Sequence, residues 1–197
     1  MTSAIVVMGV SGCGKSTLGR QIATSLGWQF IEGDMLHPPA NIEKMAAGIP
    51  LDDSDRWPFL ANVAEAINAA AGAGVVVSCS ALKRSYRDDI RSRAGAVTFV
   101  LPLMSRLQLV RRLQARTDHF MPVSLLDSQL ATLEIPGADE DVITLEGDIS
   151  AADQLALVVA ELDKRNVQKQ EIPAPASRHR PVGELDESAA TQYPRSG

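Results

Sequence analysis

Gly9-Val10-Ser11-Gly12-Cys13-Gly14-Lys15-Ser16-Thr17 decides the fold. The stretch matches G-x-x-x-x-G-K-[ST], the pattern of a phosphate-binding loop. Its glycines let the backbone bend around an anion and turn N–H groups inward. The loop leads into a predicted helix, whose N-terminus carries partial positive charge and favours phosphate. Gly9, Val10, Ser11, Gly12, Cys13, Gly14, Lys15, Ser16 and Thr17 are therefore expected to cradle the phosphates of ATP. Lys15 can reach the β- and γ-phosphates, and the Ser16 hydroxyl can serve as a Mg²⁺ ligand. The context agrees with this. Ala4-Ile5-Val6-Val7-Met8 reads as a buried strand, and Leu18, Ile22 and Leu26 follow at helical spacing.

The rest of the chain fits one α/β domain. It has 197 residues, of which 45% are hydrophobic, enough for a single core. A net charge of −5 argues against a nucleic-acid-binding surface. No apolar run is long enough to span a bilayer. The chain enters its first strand at once, so no signal peptide is expected. Cys13 and Cys79 have neither metal-site spacing nor a disulfide framework. Both are expected to be reduced thiols in a cytoplasmic protein.

Beyond the first helix, Gln29-Phe30-Ile31 reads as a second strand that delivers Glu32-Gly33-Asp34 to its C-terminal end. In open parallel sheets ligands bind at that edge, so Asp34 is expected to act on a substrate hydroxyl or on the Mg²⁺ side. Pro38 and Pro39 delay the next helix, placed at Asn41 to Gly48. Asp52-Asp53-Ser54-Asp55 is expected to cap a helix starting near Arg56 and running to about Ala71. Val75 to Ser78 is the third strand, and a helix follows over about Ser85 to Arg93. Arg84, Arg87 and Arg91 share one face of it, and Arg87 is expected to point into the cleft. Val97 to Leu101 is the fourth strand. Helices over about Ser105 to Thr117 and Val123 to Leu133 follow, then a fifth strand over Val142 to Leu145. The last helix is placed at Ser150 to Asn166.

Strand and helix alternate throughout, so a five-stranded parallel sheet with helices on both faces is predicted. Residues 1–168 form the kinase domain. Residues 112–134 are its small helical lid, with Arg112 and Arg116 reaching for the triphosphate. Residues 169–197 carry too few large apolar side chains to order themselves and are expected to be a disordered tail. Lys44 and Arg56 are cations on an insertion beside the phosphate loop and could hold an anionic substrate.

Further stretches carry a resemblance to a known family. They are Gly33-Asp34-Met35-Leu36-His37-Pro38, Asn41-Ile42-Glu43-Lys44-Met45, Gly48-Ile49-Pro50-Leu51-Asp52-Asp53-Ser54-Asp55-Arg56, Cys79-Ser80-Ala81-Leu82-Lys83, Tyr86-Arg87-Asp88, and Arg112-Leu113-Gln114-Ala115-Arg116 with His119-Phe120. Together with the phosphate loop they resemble bacterial gluconokinases of the P-loop type, over about residues 3 to 165. The resemblance implies a fold like that of the nucleoside monophosphate kinases and phosphoryl transfer from ATP, with Mg²⁺, to D-gluconate, giving 6-phosphogluconate. It also implies a homodimer. Catalytic roles fall on Lys15, Asp34, Arg112 and Arg116. Gluconate contacts fall on Asp34, His37, Lys44, Arg56, Lys83 and Arg87. Cys13 stands where many members have serine. Two rival readings stay open: a shikimate kinase-like enzyme, and a non-catalytic ATP-binding protein.

Overall fold

The structure, a computed structural model, describes residues 4–70, 72–115, 123–146 and 149–171. Five parallel strands form one sheet in the order β2-β3-β1-β4-β5. They are β1 (Ala4–Val7), β2 (Gln29–Ile31), β3 (Val75–Ser78), β4 (Val97–Leu103) and β5 (Val142–Glu146). Seven described helices accompany them: α1 (Lys15–Leu26), α2 (Pro39–Ala46), α3 (Asp53–Ala69), α4 (Arg84–Ala94), α5 (Arg106–Gln114), α6 (Val123–Thr132) and α7 (Ala151–Glu171).

The period-two alternation of a strand divides the core. Val6 and Met8 face one layer, where they meet Phe59 and Val63 of α3 and Tyr86 and Ile90 of α4. Ile5 and Val7 face the other, against Leu18 and Ile22 of α1 and Val158 and Leu162 of α7. Both faces of β1 are thus covered, which is why its sequence is continuously apolar. A third cluster joins Val10 and Cys13 of the phosphate loop to Leu109, Leu113 and Leu126 of α5 and α6. Helices α5 and α6 therefore pack directly on the loop.

Several boundaries differ from expectation for local reasons. The helix expected near Arg56 starts at Asp53, because Asp52 and Asp55 form a reciprocal capping box. Strand β4 continues through Pro102 to Leu103. It pairs with β1 only as far as Val100, so Pro102 lies where the strand has a single neighbour, β5. Helix α7 runs to Glu171, past the expected end at Asn166 and into the first residues assigned to the tail. Residues 172–197 of that tail lie outside the described residues. Among the described residues no helix is long and apolar enough to cross a membrane. Cys13 and Cys79 are free and buried.

Candidate active site

The phosphate loop follows β1, the central strand, and opens into α1. Gly12 and Gly14 take φ values of +86° and +96°, a left-handed backbone that side chains resist. The Cys13 side chain is buried among the apolar residues of α5 and α6, 1% exposed. It works as a small core hydrophobe, while its backbone belongs to the loop. Lys15 Nζ donates to the Val10 carbonyl at 3.0 Å.

Two cavities flank this loop. One, of about 260 Å³, is lined by Gly12, Gly14, Thr17, Arg112 and Gln154. The other, of about 480 Å³, is lined by Ser11, Lys15, Asp34, His37, Arg56 and Gln129, with an apolar wall from α2. Lys15 and Asp34 thus share a cavity, as their places after β1 and β2 led one to expect. Arg112 lies on the opposite side, beside the glycines. Arg116 lies outside the described residues.

Glu32 and Asp34 part company at Gly33. Strand β2 ends at Ile31, and Gly33–Leu36 forms a 3₁₀ turn. Ser16 Oγ donates to Glu32 Oε1 at 2.9 Å. Ser78 Oγ also donates to Glu32, and Arg20 pairs with it at 3.0 Å. Asp34, one residue past the glycine, instead faces the larger cavity. Gly33 is sterically required. A Cβ there would sit 1.7 Å from the Ser78 carbonyl oxygen, and its N–H donates to Ser78 Oγ at 2.9 Å. Only glycine lets the turn lie that close to the end of β3.

His37 and Arg56 complete the larger cavity. The His37 ring stacks on Phe59, with centroids 3.7 Å apart and planes 7° from parallel. Burial pushes its pKa down to about 4, with Arg56 adding to the effect and Asp34 opposing it, so the ring is neutral at pH 7. Arg56 is 8% exposed, and its Nη1 donates to the Tyr86 hydroxyl at 3.4 Å.

The remaining cations expected at the substrate do not line this cavity. Lys44 Nζ is held by Asp55 at 2.6 and 2.8 Å, tying α2 to α3. Lys83 Nζ is held by both carboxylate oxygens of Asp53 at 2.8 Å. Arg87 departs most from its expected place in the cleft. It is fully buried, paired with Glu140 at 2.6 and 2.9 Å. Its Nη1 also donates to the carbonyls of Ala81, Leu82 and Glu134. Ala81 has φ of +38°, so Arg87 secures a strained turn whose neighbours Ser80 and Leu82 line the cavity. Helical spacing placed Arg87 on a face of α4 but gave no sign of a partner 53 residues away.

Two residues escaped the sequence analysis. Gln129 of α6 accepts the Ser11 N–H through Oε1 at 2.7 Å, linking that helix to the loop. Asn41, on the first turn of α2, is buried and supports His37. Neither belongs to a motif with a chemical reading. Asn41 had one signal, a polar residue within a stretch of strong family resemblance.

A phosphate loop with a cavity on either side, one beside the glycines and one holding a carboxylate, defines a kinase of small molecules. Residues 5–136 match the family model described as AAA domain. The chain is 55% identical to a gluconokinase of Gluconobacter oxydans over 73% of its own length and 82% of the relative's. It is 42% identical to the thermosensitive gluconokinase of Escherichia coli, over 73% and 78%. A crystal structure of a gluconokinase from Sinorhizobium meliloti superposes with a TM-score of 0.79 at 48% identity, covering 87% of this chain and 98% of that one. The shikimate kinase of Aquifex aeolicus, at 16% identity and a TM-score of 0.51 over 83% and 98%, shares the fold. The chain belongs to the gluconokinase family.

Proposed function

We propose that the chain transfers the γ-phosphate of ATP to the 6-hydroxyl of D-gluconate, giving ADP and 6-phospho-D-gluconate. One observation carries this reading most: Lys15 and Asp34 line the same cavity as Arg56 and His37. A phosphate-binding cation and a carboxylate therefore face a pocket with further groups for an oxygen-rich anion. The cavity beside Gly12, Gly14 and Arg112 is the proposed nucleotide side; Arg112 acts on the phosphates there, a role the family resemblance gives to Arg116 as well.

Asp34 accepts the proton of the attacking hydroxyl as its oxygen bonds to the γ-phosphorus. The bond from that phosphorus to the β–γ bridging oxygen breaks, and ADP leaves. Lys15 neutralises charge on the transferred group. Ser16 fits Mg²⁺: its one hydroxyl proton goes to Glu32, leaving oxygen lone pairs for coordination. When bound, Mg²⁺ would supply Lewis-acid neutralisation of the phosphate oxygens. Arg56 and His37 bind the acceptor. Lys44, Lys83 and Arg87 support the cleft through the pairs described above. Two buried free thiols suit a cytoplasmic setting, and the family resemblance supports a homodimer.

Lys15→Ala should leave the protein folded and lower kcat by about 10²–10³, the effect of losing a donor aimed at developing charge. Melting curves and steady-state ADP release would measure both, and near wild-type turnover would remove Lys15 from its role. The acceptor reading is tested with sorbitol, which lacks the carboxylate. A charge-assisted hydrogen bond contributes about 1.5–3 kcal/mol. Sorbitol should therefore lose at least about tenfold in kcat/KM relative to gluconate, and Arg56→Gln should narrow that gap. Equal use of the two acceptors would overturn the pocket assignment.

A further inference from the structure

Asn41 fixes the chemistry of His37. Its Nδ2 donates to the Asp55 backbone carbonyl at 2.8 Å and lies 3.2 Å from His37 Nδ1. A carbonyl oxygen only accepts, so this end of the Asn41 side chain must be its NH₂ group. The second hydrogen of that group faces Nδ1. Nδ1 therefore accepts, and the one proton of the neutral ring sits on Nε2. The Phe59 ring, stacked at 3.7 Å, holds the imidazole plane. Asn41 is itself 3% exposed, so water competes poorly for either bond.

We propose that Asn41 is a positioning residue that locks His37 as a neutral Nε2–H donor to an oxygen of the acceptor, which keeps the Asp34 base free across mildly acidic pH. The proposal rests on the acceptor-cavity reading above. Protonating Nδ1 would set an N–H against the Asn41 NH₂, so the geometry itself opposes the imidazolium. The charged groups facing the ring are Asp34 from the turn and Arg56 from α3. The Asp55 carboxylate, next to the carbonyl that Asn41 uses, is occupied by Lys44. An imidazolium here would attract the Asp34 carboxylate and weaken it as a base. A neutral ring donates one hydrogen bond and leaves Asp34 to the hydroxyl.

The tautomer is read directly by long-range ¹⁵N–¹H NMR on the full chain. It holds three histidines, and His37→Gln assigns the relevant signals. At neutral pH His37 should show a bare Nδ1 and a protonated Nε2, and its signals should not titrate between about pH 5 and 8. Asn41→Ala should raise its titration midpoint by about two units. In that variant the loss of kcat/KM for gluconate should be at least about threefold larger at pH 5.5 than at pH 8. A proton on Nδ1, or a wild-type midpoint near 6.5, would overturn the proposal. So would an Asn41→Ala loss equal at both pH values, the mark of a merely structural residue. The wild-type spectrum decides even if the variant does not fold. Because it needs no substrate, it separates failure of this inference from failure of the gluconate reading.

Discussion

Asp34→Asn should lower kcat by about 10²–10⁴ while the protein melts as before. The hydroxyl of a sugar acid is a poor nucleophile, and a carboxylate within reach orients it and takes its proton. Asn keeps the size and one acceptor, so gluconate binding should weaken less than turnover. The transition state of phosphoryl transfer is loose, which sets the lower end of that range. Glu32→Gln should be milder in kcat, because Glu32 holds Ser16, Ser78 and Arg20 and does not line the acceptor cavity. Its cost should appear in the Mg²⁺ dependence of the rate. Steady-state kinetics of the two variants at several Mg²⁺ concentrations would compare them. A larger kcat loss for Glu32→Gln would mean that the two carboxylates have exchanged roles.

The largest stability effect should come from Arg87→Ala. It would leave the Glu140 carboxylate, whose side chain is 3% exposed, with only the Gly137 N–H and the more distant Arg91, and release the Ala81 and Leu82 carbonyls. Removing one partner of a buried pair costs about 3–5 kcal/mol. At about 2–4 °C per kcal/mol for a domain of this size, Tm should fall by on the order of 10 °C. Replacing both partners with apolar residues, as in Arg87→Met with Glu140→Leu, should recover part of the loss. The pH dependence has a definite sign. The Arg87 guanidinium holds the Glu140 carboxyl below the usual carboxylate range. Stabilisation from the pair is therefore present above the unfolded pKa and lost as pH falls through the folded one. The gap between wild type and Arg87→Ala should close in acid. A Tm change of only a degree or two at neutral pH would show that Arg87 is not the anchor described here.

The parts of this site legible in the sequence are those whose function depends on local backbone. The phosphate loop is nine consecutive residues, Gly9 to Thr17, with strand before and helix after. The place of Asp34 was legible because β2 delivers it, one residue past Gly33, to the C-terminal edge of the sheet, and the Asp52 to Asp55 cap because capping acts within a single turn. Long-range pairing was not legible. Arg87 and Arg56 look alike in sequence, yet one meets Glu140 across 53 residues and the other meets Tyr86 across 30. Burial of Arg87 against Glu140 turns it into a structural anchor, while Arg56 borders the cavity. Lys44 and Lys83 follow the same logic, since each found a carboxylate on α3. An isolated cation announces its charge but not its counter-charge. Gln129 was hidden for a related reason. Its partner is a backbone N–H of the phosphate loop, a group that every residue type there presents.

Phosphorylation of gluconate at its 6-hydroxyl is read out by product analysis with ³¹P and ¹³C NMR. The wild-type chain would be incubated with ATP, Mg²⁺ and, in separate reactions, gluconate, shikimate and a set of nucleoside monophosphates, with ADP release followed in each. ADP release should run in step with gluconate consumption, with a phosphate ester on C6 and little turnover of the other acceptors. ADP release without a phosphorylated sugar acid, a phosphate on another carbon, or turnover of shikimate equal to that of gluconate would contradict this assignment.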